Sequence, residues 1–195
     1  DISILLLRYH NDVCHWVKGK TYQEEIDYIV TNEKRNRLIT NLAADQKGNS
    51  LVLFQFVEKH GKPLFDMIRD KVGERPVYYV SGEVDAKDRE QIRGIVEKQK
   101  NAIIVASLGT FSTGINIRNL HNIVFASPSK SRIRNLQSIG RGLRLGDNKV
   151  NATLYDIADD LQYKSKENFT LKHFQERINI YNEEQFDYKI DRVKL

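Results

Sequence analysis

Leu51-Val52-Leu53-Phe54-Gln55-Phe56 is a nearly unbroken apolar run, set off by the turn cluster Asp45-Gln46-Lys47-Gly48-Asn49-Ser50. A strand with one wet face alternates apolar and polar residues. A strand that is apolar at successive positions is covered on both faces, as in a parallel sheet. Similar runs follow at Val77–Val80, Ala102–Ala106, Asn122–Ala126 and Ala152–Ile157. Between them lie helical patterns: Leu64, Ile68 and Val72 behind Pro63, then Ile92, Ile95 and Val96 behind Asp85 as a cap. Strands alternating with helices predict an α/β fold with a mainly parallel sheet and helices on both faces. Upstream, residues 1–10 read as a strand centred on Ile4–Leu7. Tyr22 to Leu42 reads as one helix with Glu33-Lys34-Arg35-Asn36-Arg37 exposed. A last helix runs from about Lys166 to Glu184, with Leu171, Phe174, Ile178 and Tyr181 on one face, and the remainder is a tail.

The 195 residues, 40% apolar and 29% charged, suffice for one domain with a core that needs no staples. No apolar run approaches the roughly 20 residues of a membrane span, so no membrane partner is expected. The chain begins with Asp1 in mid-strand, which reads as a piece of a longer protein. Its one cysteine, Cys14, excludes an internal disulfide and fits a cytoplasmic, reducing compartment. The formal charge of +5 permits a polyanionic partner. His10, Cys14 and His15 supply only three ligands and read as loop residues, so no metal site is assigned. Val17-Lys18-Gly19-Lys20-Thr21 imitates the end of a phosphate loop, but position 14 is Cys where that pattern needs Gly. A small-molecule dinucleotide enzyme is disfavoured, because no G-x-G-x-x-G opens a helix after the first strand.

Two stretches carry chemistry. Ser107-Leu108-Gly109-Thr110-Phe111-Ser112-Thr113-Gly114-Ile115-Asn116-Ile117 follows a strand directly, and its hydroxyls and backbone N–H groups suit phosphate or sugar oxygens. Further on, Gln137, Arg141 and Arg144 fall at i, i+4 and i+7, with Arg134 three residues before, so on a helix they share one face. Gly140 and Gly142 are poor helix-interior residues and point to a close approach to the backbone or a break. Arginine makes forked contacts with phosphate and stays charged at any working pH. The bland alternative is a solvated basic face. The surrounding Lys130–Lys149 stretch has six Lys or Arg against Asp147 alone and is suited to tracking a nucleic-acid backbone.

The order of these parts resembles the second RecA-like domain of superfamily 2 helicases over about residues 50–160. Leu51–Val57 resembles motif IV, Val80-Ser81-Gly82 with Asp88-Arg89-Glu90 the segment after it, Ala106–Ile117 motif V, and Gln137–Arg144 motif VI. The resemblance implies a P-loop NTPase-like fold lacking the P-loop itself. Residues 1–49 would lead in from a first motor domain, and 161–195 would form a closing helix and tail. It implies that Arg144 acts as the arginine finger on ATP with Arg141 as its partner. Gln137, Gly114 and Asn116 would lie against the nucleotide, and Gln55, Ser81, Gly82, Ser107 and Leu108 would face nucleic acid. ATP and Mg would be held mainly by the preceding RecA-like domain, since no Walker A or B motif occurs here. Asn116 departs from the aspartate common at that position: it can hydrogen-bond a ribose hydroxyl but brings no charge. The motif wording, with Phe174-Gln175-Glu176-Arg177 in the tail, is most similar to recombination helicases of T-even bacteriophages. That implies branched DNA and RNA–DNA hybrids as partners. The alternative is a non-catalytic RecA-like module that only holds nucleic acid.

Overall fold

The structure, a computed structural model, describes residues 2–81, 86–108, 119–128 and 152–195. Among these, seven strands form one sheet: β1 (Ile2–Arg8), β2 (Ser50–Phe54), β3 (Val77–Val80), β4 (Ile103–Ser107), β5 (Asn122–Phe125), β6 (Thr153–Asp160) and β7 (Tyr188–Lys194). Their order is β3-β4-β2-β5-β6-β1-β7, and every pairing is parallel. The six described helices are α1 (Asn11–Val17), α2 (Tyr22–Thr31), α3 (Glu33–Asp45), α4 (Lys62–Val72), α5 (Ala86–Lys98) and α6 (Phe169–Glu183).

The period of two along each strand splits the core into two layers. Leu51, Leu53, Ile104, Ile123, Phe125 and Leu154 face the side covered by Leu171, Phe174 and Tyr181 of α6. Val52, Phe54, Val105, Val124 and Ile157 face the side covered by Ile29, Ile39, Leu64 and Ile68 of α2, α3 and α4. Both faces are covered, as the unbroken apolar runs predict.

Three local readings are corrected. The single helix expected from Tyr22 to Leu42 is two, because Asn32 has an extended backbone (φ −70°, ψ 116°) and its side chain accepts the N–H of Arg35 at 3.0 Å. It ends α2 and caps α3. Thr21 and Glu24 form a reciprocal capping box at the start of α2. His10, Cys14 and His15 are not loop residues: His10 caps α1, Cys14 is buried within it and His15 lies exposed on it. The tail contains β7, which pairs with β1 from Ile2↔Tyr188 to Arg8↔Lys194. Its Lys189, Asp191 and Arg192 are exposed, and charge along an edge strand discourages pairing with a further chain.

The chain enters α4 through a π-helical turn, Val57–Gly61, with Pro63 in the first turn of the helix. The turn is held tight by glycine: a Cβ on Gly61 would stand 2.5 Å from the Phe54 ring. This turn brings His60 beneath the end of β2, where the polar chemistry begins.

Candidate nucleic-acid interface and the network beneath it

In a parallel α/β sheet, ligands meet the loops at the carboxyl ends of the strands. Register places three of those ends level. Phe54 of β2 pairs with Ser107 of β4, and Val80 of β3 pairs with Ala106. Ser81, Ser107 and Gln55 therefore lie in that order at the ends of the adjacent strands β3, β4 and β2, about 4.8 Å apart per strand, with Gln55 one residue beyond the partner of Ser107. Gln55 and Ser81 are exposed and Ser107 is half-buried. Leu108 is only 5% exposed and its side chain belongs to the core, which leaves only its backbone near the rim. The other candidates, Gly82, Gly114, Asn116, Gln137, Arg141 and Arg144, lie outside the described residues.

Beneath Gln55 runs a buried relay that local sequence reading missed. The Gln55 N–H donates to Ser127 Oγ at 2.9 Å, and Ser127 Oγ lies 2.7 Å from His60 Nδ1. His60 Nε2 is 3.0 Å from Asn36 Oδ1, and Asn36 Nδ2 donates to the Val30 carbonyl at 3.0 Å. Because Asn36 Nδ2 faces the Val30 carbonyl, Asn36 Oδ1 is left to accept from Nε2–H, and in the neutral ring Nδ1 is free to accept from the Ser127 hydroxyl. Burial, with the positive charge of Arg35 nearby, pushes His60 down to about 3.

That neutral state has a thermodynamic consequence. Unfolded, His60 takes a proton near pH 6.5; folded, it does not until about 3. Between those values the unfolded state binds more protons, so the stability tied to neutral His60 is full above pH 6.5 and is lost as pH falls. The contribution to the slope approaches about 1.4 kcal/mol per pH unit. His60→Gln is expected to flatten the decline measured by urea unfolding from pH 6 to 4. The carboxylates titrate alike in both proteins, so an unchanged slope in the variant would refute a neutral, buried His60.

Alongside the relay sits a buried ion pair. Arg35, read from sequence as exposed, is fully buried on α3. Its Nε and Nη2 donate to the two Asp159 oxygens at 2.8 and 3.0 Å, and its Nη1 donates to the Ala126 carbonyl at 2.6 Å. Tyr9 donates to the same carboxylate at 2.7 Å, and burial first, then that carboxylate, pushes its hydroxyl well above the usual tyrosine range. Burial alone would lower Arg35, but Asp159 reverses this and holds it above the usual arginine value. On the other face of β6, Asp156 takes a forked contact from Arg177 at 2.8 and 2.9 Å and the hydroxyl of Tyr181. The two carboxylates of one strand thereby fix helices on opposite faces. Cys14 and His15, weighed as ligands, part company: the Cys14 thiol is buried near the Tyr9 carbonyl, and His15 lies against Tyr163.

An all-parallel sheet with two covered faces and small polar residues on one rim is the architecture of RecA-like helicase C-terminal domains, and the comparisons agree. Residues 33–146 match the model of the helicase conserved C-terminal domain, and the chain belongs to that family. Over its whole length it is 42% identical to the ATP-dependent DNA helicase uvsW of Enterobacteria phage T4, spanning 41% of that protein. The crystal structure of T4 UvsW superposes with a TM-score of 0.84, covering 100% of this chain and 41% of that one. The C-terminal domain of the DEAD-box protein Dbp5 shares the fold at 14% identity, with a TM-score of 0.56 over 98% of this chain and 90% of that one.

Proposed function

We propose that the chain is the second motor domain of an ATP-dependent helicase that acts on branched recombination intermediates, forks and RNA–DNA hybrids. The observation that carries the reading is 42% identity, over the whole chain, to a phage ATP-dependent DNA helicase. In this reading ATP and Mg²⁺ sit mainly on a preceding RecA-like domain. Arg144 and Arg141 reach the γ-phosphate from this side, and Gln137, Gly114 and Asn116 lie against the nucleotide. Gln55, Ser81, Gly82, Ser107 and the Leu108 backbone face the nucleic acid. ATP draws the two domains together, hydrolysis lets them part, and the loop after β4 ties each cycle to a step along one strand.

Half an active site does not turn over. The 195-residue chain alone is expected to show no steady-state, nucleic-acid-stimulated ATP hydrolysis, while the longer protein with its first motor domain hydrolyses ATP. A coupled phosphate-release assay on both makes the comparison. Turnover by the short chain would refute the division of the site between two domains.

A further inference from the structure

α1 leaves the carboxyl end of β1, so it stands on the same rim of the sheet as Gln55, three strands along in the order β2-β5-β6-β1. The turn after α1 faces the connection from β6 into α6 across a small groove lined by four lysines (Lys18, Lys20, Lys166, Lys172), two glutamates (Glu25, Glu167) and Phe169. Trp16 flanks it, 51% exposed, and Phe169 is 41% exposed; among the described residues only Ile190 is another large apolar side chain so open to water. Lys20 Nζ lies 4.6 Å from the Trp16 ring centre. Lys18 and Lys164 lie 4.9 and 5.5 Å from the Tyr163 ring.

Some surface cations have acidic partners: Lys59 with Asp27 at 2.9 Å, Lys62 with Glu58 at 2.6 Å, Arg37 with Glu33 at 2.8 Å, Arg69 with Asp66 at 3.2 Å. Others, such as Lys34 and Lys100, stand singly, and what sets this groove apart is that several such lysines lie together. Among the described residues, Lys18, Lys20, Lys164, Lys166 and Lys172 have no carboxylate oxygen within 4.0 Å. The nearby acids are engaged. Glu25 accepts the N–H groups of Phe169 and Thr170 at 3.0 and 2.8 Å and the Asn168 amide at 3.1 Å. Glu24, whose charge Lys20 feels, closes the Thr21 capping box, and Glu167 accepts from Gln175.

Unpaired ammonium groups beside half-exposed aromatic faces complement a polyanion that carries flat rings. We propose that this groove binds single-stranded nucleic acid, with phosphates on the lysines and a base stacked on Trp16, outside the helicase-motif positions. The inference extends the nucleic-acid reading above and rests on it. The Trp16 ring already has Lys20 Nζ at 4.6 Å and the Tyr28 ring at 5.5 Å, so a stacked base would take the place of Lys20 on the indole as that ammonium turns to a phosphate; an acidic peptide would use the lysines and gain nothing from the half-exposed indole.

Trp16 is the chain's one tryptophan, so its emission reports on this groove alone. The 195-residue chain is titrated with a labelled oligothymidylate at low salt, following the label's anisotropy and Trp16 emission together. Expected is saturable quenching with the midpoint of the anisotropy curve. Trp16→Ala should weaken binding by about 5- to 150-fold, the range for one stacked base. Lys18→Ala with Lys20→Ala should lower the salt slope by about 1.4, at 0.7 per phosphate contact on a single strand. All three positions are surface positions, so the variants are expected to fold. Anisotropy binding with unchanged Trp16 emission and undiminished affinity in Trp16→Ala would place the strand elsewhere, overturning the inference and leaving the helicase reading intact. Absence of binding by either signal overturns it as well. Equal quenching by polyglutamate would reduce the groove to a general anion surface and also overturn it.

Discussion

In the longer protein, Arg144→Ala is expected to lower nucleic-acid-stimulated ATP hydrolysis by about 10³- to 10⁵-fold while fork-DNA affinity stays near that of the parent. The transferred phosphoryl group spreads negative charge over its equatorial oxygens in the transition state. A guanidinium held there stabilises that charge more than it stabilises bound ATP, so its loss falls on turnover. Arg141, Gln137 and Arg144 share one face of a predicted helix, so the three would approach the nucleotide as a unit. Arg144→Lys is expected to recover little, because an ammonium keeps the charge but not the planar fork. Steady-state ATPase and equilibrium fork binding on the same preparations decide the matter. A purely nucleic-acid-holding role for this face predicts the reverse: hydrolysis retained, affinity reduced, and a salt slope shallower by about one per lost contact.

The legibility of this chain follows the range of each interaction. β2, β4 and β5 are buried on both faces, so their identity is written in consecutive apolar residues. β7 is an edge strand whose Lys189, Asp191 and Arg192 are exposed, and a charged alternating segment after a helix reads as a tail until β1 is seen beside it. The break at Asn32 carried a local signal, an N-cap residue three before Arg35, but the apolar period runs through it. The candidate rim residues Gln55, Ser81 and Ser107 were legible because strand ends are. The relay below them was not: Asn36, His60 and Ser127 are separated by 24 and 67 positions, and nothing in a single sequence marks residues that meet only in the fold. Arg35 misled for the same reason. In a run of charged residues it looks solvated, and its partner Asp159 lies 124 positions away.

That pairing sets the largest stability effect expected of a single substitution here. Arg35→Ala leaves the Asp159 carboxylate fully buried with the Tyr9 hydroxyl as its remaining described side-chain donor, and strips the Ala126 carbonyl of the 2.6 Å contact from Nη1. Removing one partner of a buried pair typically costs about 3–5 kcal/mol, because the other charge stays desolvated and uncompensated. Replacing both partners is a different experiment. Arg35→Met with Asp159→Leu removes both charges at similar volume and is expected to regain part of that loss, the remainder reflecting the Tyr9 hydroxyl and Ala126 carbonyl that lose these partners. Urea unfolding of the single and double variants separates the two terms. The rim should feel the single change too. Ala126 donates its N–H to Leu53 at 2.9 Å and precedes Ser127, whose hydroxyl receives the Gln55 N–H. Loosening it is therefore expected to speed amide exchange at Gln55 beyond the change set by global stability. A loss below about 1 kcal/mol in Arg35→Ala would mean that water reaches Asp159, and the buried pair would not be what anchors α3 to β6.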